Sequence, residues 1–219
     1  EYTFITRNAT TNLNGYLVRG GRSVPCDKSN IGNNARITLQ LSAGTTYYMK
    51  IQGADSSKRG AFDVGVFRGA AISCIDDFDM IRDNPEGTYF LVADIDFAGS
   101  NINWPPITSL SYNGMLNGDG YKIKNIVLNH PSMENVGFFA TSDGTIINLT
   151  FENVTVIGKK NTGVLAGTTG TNGIILNCHV TGTSTVSGGE YTGGLVGFNK
   201  ADIRDSSTAC NVTATGNFT

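Results

Sequence analysis

From residue 135 onward the apolar positions of this chain recur in phase. Three segments show it: NVGFFATSDGTIINLTF from Asn135, NTGVLAGTTGTNGIILNCHV from Asn161, and YTGGLVGFNKADIRDSST from Tyr191. Each holds a glycine, one further residue and an apolar pair: Gly137 with Phe139-Ala140, Gly163 with Leu165-Ala166, Gly193 with Leu195-Val196. Each then passes through polar residues to Ile146, Ile175 or Ile203, and two residues later to Asn148, Asn177 or Asp205. The earlier run YKIKNIVL fits the same frame with Ile123 and Asn125. Alternation as in TIINLTFENVTV predicts at least two short strands per repeat, and no helical period of adequate length accompanies it.

Gly137 to Gly163 is 26 residues and Gly163 to Gly193 is 30. Spacings of this size predict a solenoid, propeller or array. The L-x-x-L-x-L pattern of leucine-rich repeats is absent, and propeller blades need about 40 residues. A parallel β-helix remains, with equivalent strands stacked about 4.8 Å apart. On this reading the glycines supply positive-φ corners. Leu195 and Val196 follow the corner, one of them pointing inward, and Ile146, Ile175 and Ile203 form an interior column. Asn125, Asn148, Asn177 and Asp205 form a polar ladder at one corner, each side chain bonding to the backbone of the next rung. Stacked Asn ladders are a feature of cross-β packing.

The first seventy residues read differently. ARITLQLSAGTTYYMKIQGADSSKRGAFDVGVF alternates around turn signals, with Ile37, Leu39 and Leu41, then Tyr47, Met49 and Ile51, then Phe62, Val64 and Val66 each sharing a face. NLNGYLVRGG adds a strand, and together they predict antiparallel sheet or sandwich. The fold class expected is therefore all-β: a small antiparallel β-sandwich over 1–70, then a right-handed parallel β-helix over 71–219. In CIDDFDMIRDN, the apolar Ile75, Phe78, Met80 and Ile81 suit one short amphipathic helix. It would cap the first end of the solenoid, as solenoids require.

Charge and composition narrow the function. The net charge is -2 and only 16% of residues are charged, with no basic run, which argues against nucleic acid as a partner. No window approaches the roughly 18 apolar residues of a membrane-spanning helix, so no membrane insertion is expected. Of the four cysteines, Cys26, Cys74, Cys178 and Cys210, none has C-x-x-C spacing. Cys26 with Cys74 is the candidate disulfide, and Cys178 with Cys210 would complete a half-by-half pairing. The alternative is buried free thiols acting as small hydrophobes. Five N-x-Ser/Thr sequons, at Asn8, Asn148, Asn153, Asn211 and Asn217, are no more than this composition yields by chance.

Candidate chemistry is sparse. His130, before Pro131 in a turn, and His179 are read as lone surface histidines rather than ligands or bases; His179 matches Thr150 and Ser207 in its repeat and is expected to face outward. Asp76, Asp77, Asp79 and Asp83 belong to the capping segment and miss the calcium-loop spacing. Asp94 and Asp96 flank Ile95 and would share a strand face about 7 Å apart, a separation known from inverting glycosidases, but a structural role suffices. Asp119 falls at a glycine-rich corner. Trp104 and Tyr112 are the candidates for stacking on a sugar, with burial over the core as the favoured alternative. No catalytic, cofactor or metal site is expected.

Two resemblances sharpen this. YTGGLVGF followed by ADIRDSSTACNVTATG resembles the GLUG repeat of bacterial surface proteins. GTYFLVADIDFAG, YNGMLNGDGYKIKNIVL and NVGFFATSDGTIINLTF resemble the segment that opens such β-helices, so the likeness covers about 72–219. The run LSAGTTYYMKIQG…GAFDVGVF resembles the closing hairpin of the bacterial prepeptidase C-terminal domain, with that family's first strand missing. These resemblances imply a non-enzymatic extracellular or cell-surface protein of adhesin type, with a glycan or protein as ligand. The rival readings are a subunit of an extracellular filament, self-assembling through open β edges, and an accessory region of a secreted glycan-active enzyme or protease. The open edges are expected at both ends of the chain, completed by a longer polypeptide or a neighbouring copy.

Overall fold

The computed structural model describes residues 2–7, 9, 13–19, 22–25, 36–39, 48–53, 61, 63–107 and 111–216. The chain divides into two compact units, Glu1–Ala71 and Ile72–Thr219.

The first unit contains two three-stranded antiparallel sheets. In one, Tyr2–Arg7 lies between Arg36–Leu39 and Asp63–Arg68. In the other, Leu13–Arg19 lies between Arg22–Pro25 and Tyr48–Gly53. Tyr2–Arg7, which the alternation argument passed over, is thus a central strand.

The second unit is a parallel coil of about four turns. Its first sheet stacks Thr88–Leu91, Met115–Asn117, Thr145–Ile147, Ile174–Leu176 and Asp202–Arg204. Its second stacks Ile95–Asp96, Lys122–Lys124, Thr150–Glu152, the start of His179–Gly188, and Ser207–Ala214. The same sheet continues through Val127–Asn129 and Thr155–Ile157. A third side carries Phe139–Ser142, Ala166–Thr169 and Val196–Phe198. Each rung therefore crosses three sides, and the inward residue of each short strand stacks on its counterpart.

Leu116, Ile146, Ile175 and Ile203 form one column in register, and the first three are buried. Ile123 does not join it. It pairs with Ile95 and Phe151 in the next column, so YKIKNIVL occupies the second side of its rung rather than the first. Leu128, Val156, Val186 and Val212 form a further column. Burial of these side chains supplies most of the favourable free energy, at about 25 cal/mol per Å² of apolar surface.

The Gly-rich motif has a different cause from the one expected. The glycines around Leu165-Ala166 and Leu195-Val196 do not adopt positive φ. A Cβ on Gly163 would lie 2.6 Å from Gly197 N, and one on Gly167 would run into the backbone of Asn135. Glycine is required because successive rungs approach too closely for any side chain. The motif alignment also shifts. Phe139 pairs with Ala166 and then Val196, while Val136 pairs with Thr162. The VGFFA rung is therefore one residue shorter, and Phe138-Phe139 matches Leu165-Ala166 and Leu195-Val196. Leu195 and Val196 are both buried.

The capping segment forms a 3-10 turn, Asp76–Phe78, and a short helix, Asp79–Asp83. Phe78 and Ile81 are fully buried. The Phe78 ring meets Trp104 and Phe138 edge-on at 5.6 and 5.0 Å. Asp77 accepts from Ser73 N at 2.7 Å and Ser73 Oγ at 2.8 Å, fixing the chain's approach to the cap.

Candidate functional site

The corners of the coil are set by left-handed residues. Asn148, Asn177 and Asp205 have φ of 53°, 53° and 50°, and Asn135, Asn161 and Tyr191 have φ of 57°, 51° and 53°. Asparagine tolerates this region better than other non-glycine residues. At the first corner Asn177 Nδ2 donates to Asn148 Oδ1 at 2.9 Å, and Asn148 Nδ2 donates to Asn117 Oδ1 at 3.1 Å. The ladder thus runs side chain to side chain along an edge that is half-buried at Asn117 and Asn148 and exposed at Asn177, not inward to the backbone. Asn117 belongs to it and Asn125 does not. Asn125 sits at the following corner with Asn153, and its Nδ2 donates to Asp96 Oδ1 at 2.7 Å. Asp205 keeps the corner conformation but has no amide to donate. Asn177 Oδ1 instead contacts His179 Nε2 at 2.9 Å, and His179 Nδ1 contacts Ser207 Oγ at 2.9 Å. His179 stacks on Thr150 and Ser207 as its sequence position implied.

Asp94 and Asp96 are exposed on either side of buried Ile95. Asp94 pairs with Lys124 Nζ at 3.1 Å and accepts from Lys122 N at 3.0 Å. The Asn125 amide, with help from Ala98 N–H, holds the Asp96 carboxyl below its ordinary range. Both carboxylates fasten one rung to the next. His130 Nε2 contacts Trp104 O at 2.8 Å. Asp119 takes a corner conformation, φ 52°.

Trp104 and Tyr112 cannot stack on a sugar. They are 4% and 0% exposed. Trp104 stacks on Phe138 at 5.6 Å with an interplanar angle of 5°, and Arg82 lies 4.7 Å over its ring. Arg82 also donates to Pro105 O at 2.8 Å, so the proline-flanked segment folds onto the cap. Tyr112 stacks on Phe139 at 4.5 Å, and burial raises its hydroxyl pKa. Cys74, Cys178 and Cys210 are free thiols, so Cys178 and Cys210 are not bridged. Cys26, the expected partner of Cys74, lies outside the described residues. Burial pushes the Cys178 thiol up to about 11. Among the described residues, no group of three His, Cys, Asp or Glu is placed to hold a metal, and no helix is long and apolar enough to cross a membrane.

Among the described residues, two outward features stand as candidate sites. One is an open groove of about 400 Å³ beside the first two rungs, lined by Gly99, Asn101, Asn103, Asn125, Val127 and Asn129. Asn103 spends its amide there as a mock strand residue, exchanging bonds with Asn129 N and O at 2.7 and 3.0 Å. The other is an aromatic pair on the fourth rung. Tyr191, 44% exposed, meets Phe198 with ring centroids 4.9 Å apart. Lys160 Nζ lies 5.8 Å from the Tyr191 ring and Lys200 Nζ 5.3 Å from that of Phe198. The sequence reading missed this pair, although rung alignment exposes it. Tyr191 stands where earlier rungs have Asn135 and Asn161, and Phe198 where they have Thr141 and Thr168.

Parallel strands stacked in register around an apolar interior define an all-β protein of the β-solenoid class. The chain is similar to halomucin of Haloquadratum walsbyi, 43% identical over 94 residues, which is 42% of this chain and 1% of halomucin. A solved structure from Bacteroides ovatus, provisionally assigned as an immunoglobulin A1 protease, is 26% identical. The likeness covers 66% of this chain and 47% of that one, with a TM-score of 0.47. No family model matches the chain.

Proposed function

We propose that the chain is a non-catalytic extracellular or cell-surface protein whose β-solenoid acts as a rigid binding scaffold. The observation that carries this reading is how each rung divides its positions. Inward columns such as Leu116–Ile146–Ile175 and Leu128–Val156–Val186 stay apolar from rung to rung, while outward positions in fixed register change from Asn and Thr to Tyr and Phe. Solenoids use such repeated faces as extended binding surfaces. The engagement of Asp94 and Asp96 in inter-rung contacts supports a structural rather than catalytic role for them. The similarity to halomucin, a mucin by its name, supports an exterior location. The GLUG-like and prepeptidase-like motifs point the same way. Antibodies against 72–219 should label intact, unpermeabilised producing cells or their medium. Labelling only after permeabilisation would defeat the reading. Loss of a hydrolytic or lyase activity in Asp94→Asn or Asp96→Asn would overturn its non-catalytic part.

The filament reading has one observation in its favour. Among the described residues, Ser207–Ala214 pairs only with the preceding rung, and Val212 is exposed. Such an edge is a template for further pairing. Concentration-dependent polymers in electron micrographs would establish it.

A further inference from the structure

The Tyr191–Phe198 pair departs from its own repeat in three ways at once. In the second and third rungs the corresponding surface is a small polar network: Asn161 Nδ2 and Thr168 Oγ1 both donate to Asn135 Oδ1, at 2.7 and 2.8 Å. That network closes the corner without any exposed ring. In the fourth rung both positions become aromatic, and the network is replaced by ring contact. Tyr191 also holds the left-handed conformation of the asparagines it replaces, φ 53°. A bulky residue in this region is an outlier that needs an explanation beyond folding, because asparagine serves the corner in the two rungs before it.

The turn beside Phe198 is held firmly. Next to Phe198, Asn199 Oδ1 accepts from Thr169 Oγ1 at 2.8 Å and from Ala201 N at 3.1 Å, while its Nδ2 donates to Ala201 O at 3.0 Å. Thr169 Oγ1 also accepts from Lys200 N at 2.9 Å. The turn that carries Phe198 and Lys200 is thus pinned to the rung beneath. On the other flank Lys160 is already matched by Glu190 at 2.9 Å. Lys200 has no carboxylate partner among the described residues and rests over the Phe198 face.

We propose that Tyr191 and Phe198 form a stacking platform for a uronic-acid residue of an acidic glycan, with Lys200 taking its carboxylate. A pyranose presents one face of C–H groups that packs on an aromatic ring, while its hydroxyls stay wet. Tyrosine suits such a half-wet position because it has an apolar body and a polar tip. A carboxylate on that sugar would meet the one ammonium left over after Lys160 and Glu190 pair, gaining a charge-assisted bond. A neutral sugar would gain the stacking alone. The assignment rests on the scaffold reading above, which places this face outside the cell.

The repeat supplies its own control substitutions. Tyr191→Asn and Phe198→Thr restore the residues of the third rung, so the double variant should fold, with a melting temperature equal to or above that of the parent. The probes are tetragalacturonate and its fully methyl-esterified form, titrated calorimetrically into the whole chain at low salt. The parent should bind the acid saturably, and the double variant at least about tenfold more weakly, a loss of about 1.4 kcal/mol. Lys200→Gln should bring the acid down to the affinity of the ester. No saturable binding of either probe by the parent, or undiminished binding by the folded double variant, overturns the platform. Equal binding of acid and ester by the parent overturns the role of Lys200. Cell-surface labelling without binding sinks this inference alone, whereas binding by a protein confined inside the cell sinks the scaffold reading and upholds the platform.

Discussion

At the first rung of the coil the interior is closed by side chains, while at the last described rung the described residues cover it only in part. Phe78 and Ile81 from the capping turn are fully buried, and Phe78, Trp104 and Phe138 interlock. At the other end Ile203 and Val212 continue the inward columns yet remain 37% and 45% exposed. Seven of the eight residues of Ser207–Ala214 are exposed. In a solenoid each rung is stabilised mainly by its neighbours. Identical positions in the repeat therefore carry different weight according to where they fall, and local stability should decline from the cap toward Ala214. The aromatic pair proposed as a binding platform sits near the weaker end, where outward substitutions disturb the fewest layers.

The contrast breaks most readily at Phe138. Its ring contacts Phe78, Trp104, Phe139 and Phe151. Phe138→Ala should cost about 3–5 kcal/mol, the usual range for a buried aromatic, read as a shift in the urea midpoint. A cost below about 1 kcal/mol would mean that the cap is not packed as described. Next come the glycines. Gly167→Ala drives a methyl group into the backbone of Asn135, which cannot yield, and should cost about 1–3 kcal/mol or more. A Cβ on Gly194 meets side-chain atoms first, Thr208 Oγ1, Cys210 Sγ and Thr208 Cβ at 2.7, 2.8 and 3.1 Å, on the last described rung. Gly194→Ala should therefore be the milder of the two, and the reverse order would contradict the stability gradient.

Much of the coil was legible because a parallel β-helix writes its architecture as a period. The inward isoleucines at 146, 175 and 203, the glycine spacing and the amphipathic cap all carry through to the structure. The corner ladder was half legible. Successive rungs have left-handed corners only a few residues apart, Asp119 and Asn125, Asn148 and Asn153, Asn177 and Gly182, so a single strand like YKIKNIVL fits either frame and Asn125 fell into the wrong one. The single-residue shortening at VGFFA left no mark in composition. Trp104 before two prolines looked like a loop residue, and only the tertiary contact with the cap explains its burial. Tyr191 and Phe198 become visible once the rungs are aligned by register rather than by motif.

Titration separates the fourth rung from the last described one. Burial raises the Cys178 thiol to about 11 from an ordinary 9.0, and the half-buried Cys210 near the open end is also raised. With its folded pKa above its unfolded one, Cys178 leaves stability intact below pH 9. The unfolded chain then releases its proton first, and stability falls as pH rises toward 11, by at most about 2–3 kcal/mol. Denaturation at pH 8 through 11 should show this slope, and Cys178→Ala should flatten it. Cys210 should react with a thiol reagent in the native state well before Cys178. On the corner ladder, Asn177→Leu should cost about 1–2 kcal/mol, from forcing leucine into the left-handed region and losing the bond to Asn148. Asn177→Gly, which keeps the backbone at ease, should lose less. Equal losses would assign the effect to the side-chain bond alone.

The smallest effect is the most searching test of the gradient, because it compares one residue type in one column. Val186 and Val212 are register partners, one above the other, in line with Val156 and Leu128. Val186 is 1% exposed and has a rung on either side, while Val212 has one beneath it. Val186→Ala removes fully buried surface and should cost about 2 kcal/mol. Val212→Ala removes surface that water already reaches and should cost no more than about 0.8 kcal/mol, roughly the value of one buried methylene. Amide exchange should show the same order, with the Thr185–Ser187 amides protected far longer than those of Asn211–Thr213. If the two substitutions cost the same and the amides exchange alike, Val212 is covered in solution, and the apparent open end is an occupied interface.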